Sequence, residues 1–548
     1  MKNMKKMDFW FFIKVICFIF IGFFLVYPFF SMFSRSFIGA SGGFSLENFT
    51  LFFTKKYYYS TLKNSFSIAI TTTVVTTVVG VPIAYFAARY NIFAKPVLNA
   101  MIIMSLMSPP FIGAYSWILL LGRNGAVTNF FKNFGIITPP IYGWFGIVLV
   151  FTLKLFPYVY LYVSGALGSI DRSLEEAAES LGHSKLKRLL TVTFPLIMPT
   201  ITSAALMVFM TSLADFGTPM LIGEGYKVLP VLVREEYLSE IGGNSNMASA
   251  LSVIIVVCAT LLLLAQNFII NKKNYTMTAL RPPEIIKLKL IPRILMSLVC
   301  FIVAFLGFLP QIVVIYTSFL KTNGPLFVKG FTLDSYRTIL YKLSSNIRNT
   351  FSFAAIAIVF IVILGMFISY LSVKKKSKSS SLLDILIMFP YVIPGAVMGI
   401  GLLLAFNNPP LVLSGTPLIM IVAYIIRKTP YTVRSTSGIL YQIDSGVEEA
   451  SISLGVPPMK TFFKITARLM IPGVVSGAIL SWISTINELS SSIMLYTGRT
   501  ATISVAIYNE VARGGYGTAA ALASLLTAAT LISLLIFQIV SKGKVSVV

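Results

Sequence analysis

PYVYLYVSGALGSIDRSLEEAAESLGHSKLKRLLTVTFPLIMP, residues 157–199, returns as PYTVRSTSGILYQIDSGVEEASISLGVPPMKTFFKITARLMIP, residues 430–472. A shift of 273 aligns the two without a gap, and 17 of the 43 positions are identical. Unrelated segments of this composition would match at roughly three or four positions, so the chain carries an internal duplication. The shift is close to half of the 548 residues, and the chain divides into two halves of one kind. What repeats is a polar Glu-Glu-Ala segment in an otherwise apolar chain.

Composition places the rest in a membrane. The chain is 56% hydrophobic and 11% charged, where a soluble domain carries about 25% charged residues. Apolar runs long enough to cross a ~30 Å hydrocarbon layer recur along the whole length. They are continuous rather than alternating, which excludes the short strands of a membrane barrel. The expected spans are 9–33, 63–88, 97–121, 142–168, 196–222 and 246–270, then 293–319, 349–373, 382–406, 417–441, 469–496 and 518–540. The fold class is therefore an all-α polytopic membrane protein of about 12 helices in two six-helix repeats. The halves are 1–270 and 293–548, joined by a basic linker at 271–292 that contains Pro282-Pro283. The first span follows Lys2, Lys5 and Lys6 and is longer than a cleavable signal core, so it is expected to stay as an anchor. An even number of spans per half makes the repeat parallel, with its pseudo-twofold axis along the membrane normal.

A net charge of +25 raises the question of nucleic acid. The basic residues answer it by their distribution. They cluster at the N-terminus, 89–95, 172–188, 272–293, 374–378 and 542–544, on alternate loops, as the positive-inside rule requires. No nucleic-acid partner is implied. Both termini and both duplicated segments are expected on the cytoplasmic side. Cys17, Cys258 and Cys300 lie in spans without metal spacing, and His183 is the sole histidine. No cofactor and no metal ligand set is assigned. No GxxxxGK[ST] loop is present, so the chain has no ATPase site of the usual kind.

In the duplicated loop, Ser173-Leu174-Glu175-Glu176 has a capping-box pattern, and Ser445-Gly446-Val447-Glu448 repeats it one position displaced. Leu181-Gly182 and Leu454-Gly455 supply glycine stops. A second short helix is expected to follow, reaching Pro199 or Pro472 at the membrane. Ala177, Ala178, Ala450 and Ser451 are small enough for another surface to approach. An ordered loop is the plainer reading, but two copies in register favour a docking site.

Glu176-Ala177-Ala178 with Gly182 and Pro199, and Glu449-Ala450-Ser451 with Gly455 and Pro472, resemble the EAA motif of permease subunits of binding-protein-dependent ATP-binding cassette importers. The second copy departs at Ser451 and has Pro457-Pro458 after its glycine. The resemblance implies a coupling helix in each half, with Glu176 and Glu449 facing two copies of an ATPase subunit. It also implies an extracytoplasmic substrate-binding protein, a bacterial cytoplasmic (inner) membrane location, and alternating access driven by the partner's ATP. Two halves fused in one chain are most similar to the ferric-iron importer permeases, an impression strengthened by Leu213-Ala214-Asp215-Phe216-Gly217-Thr218-Pro219. Related permeases handle thiamine, polyamines or phosphonates. An ion-gradient-driven secondary transporter is the rival from another class; it would not need paired docking loops.

Asp215 and Glu488 are equivalent under the shift of 273, each in an expected span. A carboxylate there faces a cavity or a partner. Hard oxygen ligands would suit Fe³⁺ or a cationic amine and would place both residues on the substrate pathway. The alternative is a structural pair to Arg or a helix-end cap.

Overall fold

The computed structural model describes residues 9–106, 108–109, 112–238, 243–271, 281 and 284–540. Most of the linker expected at 271–292, with Pro282 and Pro283, lies outside the described residues, as do Lys2, Lys5, Lys6 and the basic residues at 542–544. The helices follow the apolar runs. α1 (Phe9–Ser36) and α2 (Lys56–Arg89) each fill an expected span. The expected span 97–121 is in two pieces, α3 (Lys95–Leu106) and α4 (Ile112–Leu121). α5 (Trp144–Gly168) leads to the short loop helix α6 (Arg172–Ser180), then to α7 (Lys185–Ala214) and α8 (Ser245–Asn271). The second half runs α9 (Leu290–Ser318), α10 (Ser344–Val373), α11 (Lys378–Val392), α12 (Gly395–Phe406), α13 (Pro417–Gln442), the loop helix α14 (Gly446–Ser453), α15 (Pro458–Ile486) and α16 (Tyr516–Val540).

Among the described residues nine helices are long and apolar enough to cross a membrane, or ten if α11 and α12, bent by 110° at Ile393–Pro394, count as one. The expectation of twelve is coarser than the structure in two places. One is the divided span of α3 and α4. The other is α13, where every 18-residue window holds Arg427, Lys428 and Arg434. Two further spans are shorter than expected. α7 stops at Ala214 and α15 at Ile486, and short helices, Gly217–Ile222 and Ser492–Leu495, follow each break. The protein is also not purely helical. Leu320–Asn323 and Leu326–Phe331 pair as an antiparallel hairpin after α9, where only a loop was expected.

The chain forms two compact units. In one, built from Phe52–Leu232 and Val256–Thr317, α2, α5 and α7 pack on one another. In the other, built from Met1–Leu51, Val233–Ile255 and Ser318–Val547, α10, α13 and α15 do the same. Both trios close at an equivalent glycine. A Cβ on Gly80 would lie 2.7 Å from Cβ of Val159, and one on Gly365 would lie 2.6 Å from Cγ2 of Thr432. Val159 and Thr432 are themselves related by the shift of 273. Such close crossings are how helices associate where lipid removes the hydrophobic drive.

The first helix of each half packs in the unit formed by the other half. α1 belongs with α10 to α16, where the Trp10 ring lies 4.3 Å from that of Tyr370 and 4.9 Å from that of Phe462. α9 belongs with α2 to α7: Ser116 Oγ donates to the Pro310 carbonyl (2.8 Å), and Arg293 Nε donates to the Asn91 carbonyl (2.6 Å). The flanks of α1, α2, α9 and α10 carry exposed apolar side chains that a bilayer would cover, among them Phe11, Ile19, Val78, Ile302 and Phe360.

Candidate functional site: the repeated loops and the paired carboxylates

An aspartate stands at the start of each loop, as the N-cap of α6 and one residue ahead of the N-cap Ser445 of α14. Asp171 accepts from Ser173 N (2.9 Å) and Asp444 from Gly446 N (2.9 Å). The expected capping box on Ser173 and Ser445 does not form; the Asp common to the two copies instead offers an acceptor to a free N–H at the start of each helix, as the N-cap in α6 and from just before the N-cap in α14. Each helix ends on a glycine of positive φ, +79° at Gly182 and +83° at Gly455. Their amides donate to Glu179 and Ile452, and the next amides donate to Ala178 and Ser451. Open space surrounds both glycines, so the requirement is conformational rather than steric. The expected second short helix is instead the start of the long helix itself. α7 and α15 run through Pro199 and Pro472 without stopping.

Four of the small and acidic residues singled out from the sequence are exposed: Glu176, Ala177, Glu449 and Ala450. Ala178 and Ser451 are turned inward, 5% and 6% exposed. Ser451 Oγ lies 2.9 Å from Thr461 Oγ1. These two let the loop helix lie close to its own chain rather than admit another surface. Beside the exposed residues stand Leu181 and Leu454, 78% and 84% exposed. Each loop thus presents a glutamate, an alanine and a bare leucine in the same order.

Sequence reasoning missed the residues that hold the loops. Glu175 accepts from Arg89 Nη2 (2.6 Å) at the end of α2 and from Thr193 Oγ1 (3.0 Å) in α7. Glu448 accepts from Tyr370 OH (3.1 Å) in α10 and from Thr466 Oγ1 (2.6 Å) in α15. Both threonines end a π-helical turn, Leu189–Thr193 and Phe462–Thr466, at positions related by 273. The neighbouring Glu176 is exposed and pairs along its own helix with Arg172 (2.6 Å). The signal was present, since Glu175 and Thr193 are identical in both copies, but nothing in it separates the inward glutamate from the outward one.

Asp215 and Glu488 both cap and pair. Asp215 Oδ2 accepts from Lys154 Nζ (2.9 Å) and Oδ1 from Thr218 N (3.0 Å). Glu488 pairs with Arg427 and with Lys428 Nζ (2.6 Å), and accepts from Ser491 N (3.0 Å). Lys154 and Arg427 are related by 273, as are Thr218 and Ser491. Of the two readings the sequence left open, the ion pair and the helix-end cap are both present in each half. The carboxylate oxygens that would ligate a passing cation are already engaged. Among the described residues, no three His, Cys, Asp or Glu side chains come together as a metal site.

The sequence pattern described as "Binding-protein-dependent transport system inner membrane component" matches twice, at residues 80–274 and 361–545. Among curated relatives, the ferric transport system permease protein FbpB of Actinobacillus pleuropneumoniae is 28% identical over 94% of this chain and 76% of its own. A putative 2-aminoethylphosphonate transport system permease protein, PhnV, of Salmonella paratyphi A is also 28% identical, over 44% of this chain and 92% of its own. A solved bacterial ABC transporter involved in the import of the acidic polysaccharide alginate aligns with a TM-score of 0.38 at 18% identity, over 47% of this chain and 93% of its own. With both repeats matched, this chain belongs to the binding-protein-dependent transport system inner membrane component family.

Proposed function

We propose that this multi-pass membrane protein is the permease subunit of an ATP-driven importer for ferric iron. The observation that carries the mechanism is the pair of loops built to one plan: an Asp that accepts a backbone N–H at the helix start, an inward Glu, an outward Glu-Ala and a positive-φ glycine. Each exposed face docks one ATPase subunit, with Glu176, Ala177 and Gly182 in one loop and Glu449, Ala450 and Gly455 in the other. Both loops and both termini are cytoplasmic, and twelve membrane segments in two parallel six-helix repeats, bounded by 271–292, form the transport body. A binding protein delivers the cargo on the opposite face. ATP binding to the partners moves the loops, and only their different affinity for the two conformations can drive the change.

Iron is supported by the relatives' names over most of the chain; the phosphonate relative covers less than half. Asp215 and Glu488 contribute by setting the break in α7 and α15. Discontinuous spans are where transporters build their sites, since non-helical backbone at membrane depth must line a cavity or lie inside protein. The test is reconstitution with a cognate ATPase subunit and binding protein. ATP-dependent uptake of ⁵⁵Fe(III), without competition by 2-aminoethylphosphonate, is expected; phosphonate uptake without iron uptake would refute the cargo.

A further inference from the structure

We propose that Arg427 and Lys428, with Glu488, form a binding site for an oxyanion in the second half of the permease; the identity of the travelling cargo rests on the importer reading, but the site does not. The argument begins with a charge count. Arg427, Lys428 and Glu488 leave 15%, 7% and 6% of their side chains exposed. Two cations share one carboxylate. The equivalent cluster in the first half is balanced, because Lys154 faces Asp215 and Leu155 stands at the place of Lys428. The surplus cation is thus an addition to a plan that works without it.

Geometry concentrates the surplus. Arg427 and Lys428 lie near the middle of α13, about 15 Å from its start at 1.5 Å per residue. The guanidinium rests on the first residue of α12: a Cβ on Gly395 would collide with Nη1 of Arg427 and lie 2.6 Å from Cβ of Ser490. The N-terminal end of α12 carries no side-chain cap, and its dipole adds positive potential to that of the two cations. Nε of Arg427 is buried with no partner. Both cations pair with Glu488, which cancels one of the two charges, and the net positive charge left in this largely buried cluster is costly at membrane depth. Spare N–H donors in a planar fork suit a carboxylate or a tetrahedral or trigonal oxyanion. Such a ligand is either an anion that travels with the cargo or an inorganic anion held permanently.

Binding is measured by equilibrium dialysis of the full-length permease against [³³P]orthophosphate. The wild type is expected to hold one phosphate per chain. Lys428→Leu, which copies the first half and keeps the Arg427–Glu488 pair, should weaken binding by about tenfold or more, as should Arg427→Gln. Arg434→Gln, which removes an exposed cation from the same helix, should bind as the wild type does. Lys428→Met keeps an unbranched side chain of similar reach without the charge, and an unchanged melting curve for it ties the loss to the charge. No binding by the wild type, or undiminished binding by both Lys428→Leu and Arg427→Gln, overturns the site. In proteoliposomes carrying the ATPase and binding protein, ³³P entering with ⁵⁵Fe identifies a travelling anion; ³³P retained on the permease while iron enters identifies a resident one. Phosphate binding without iron uptake would sink the cargo reading and leave the site. Iron uptake without anion binding would do the reverse.

Discussion

Glu175 and Glu176 are adjacent, identical in type and opposite in task. Glu175 turns inward to Arg89 and Thr193, whereas Glu176 faces out. Glu175→Gln removes the charge from a largely buried pair, a loss of roughly 3 kcal/mol in such settings. The expected result is faster amide exchange across 172–183 in the reconstituted protein and lost coupling. Glu176→Gln should leave exchange unchanged while weakening ATPase docking. Equal exchange in the two variants would contradict the division of labour. Asp215→Asn and Glu488→Gln belong to the same scale. Each leaves a cation without its partner, so the amount of folded protein after mild detergent extraction should fall. A normal yield with selectively lost iron uptake would instead return both carboxylates to the pathway. The duplication made Asp215 and Glu488 visible; their partners Lys154 and Arg427 are also related by 273 but were not singled out from the sequence. What it could not convey is direction, because one residue along a helix turns a side chain by about 100° and the pattern of identities covers both glutamates.

At the scale of elements, length and apolarity made most spans legible, and their interruptions were not. The expected spans 196–222 and 469–496 pass through Asp215 and Glu488 because apolar residues continue beyond them, as in Met220-Leu221-Ile222. The helices end there because a carboxylate takes the amide of the residue three positions on, Thr218 or Ser491. Local hydrogen-bond competition of this kind leaves no trace in a hydropathy average. The hairpin at 320–331 escaped for a similar reason: four- and six-residue strands are too short to show a period. Two predictions concern packing and the loop end. Gly365→Leu would drive a branched side chain into Thr432 and should destabilise the α10–α13 crossing by about 2 kcal/mol, read as a lower melting temperature in detergent. Gly182→Ala places a Cβ on a left-handed residue, at roughly 1–2 kcal/mol. Because open space surrounds it, the loop should still form, with coupling reduced rather than abolished in a transport assay.

For the whole molecule, the exchange of first helices decides how the halves depend on each other. Dividing the chain at 271–292 by composition describes the repeat, but each packed unit takes its outer helix from the other repeat. No local pattern can reveal this, since Trp10 and its ring partners Tyr370 and Phe462 are hundreds of residues apart in sequence. Deleting residues 9–36 should therefore expose the region around 344–466 to protease while sparing α2 to α7. Protection lost first from the N-terminal half would count against the exchange. At the loops, cysteine placed at Ala177 or Ala450 should crosslink to the ATPase subunit and resist labelling from outside intact cells.

The same exchange imposes a waiting time on synthesis. When α1 leaves the ribosome, the residues that will hold Trp10 do not yet exist; Tyr370 comes 360 residues later. At about 5–20 residues per second, α1 stands alone in lipid for roughly 20–70 s. Its outward phenylalanines suit that interval, because a helix that must idle in hydrocarbon has to be acceptable there before it has a partner.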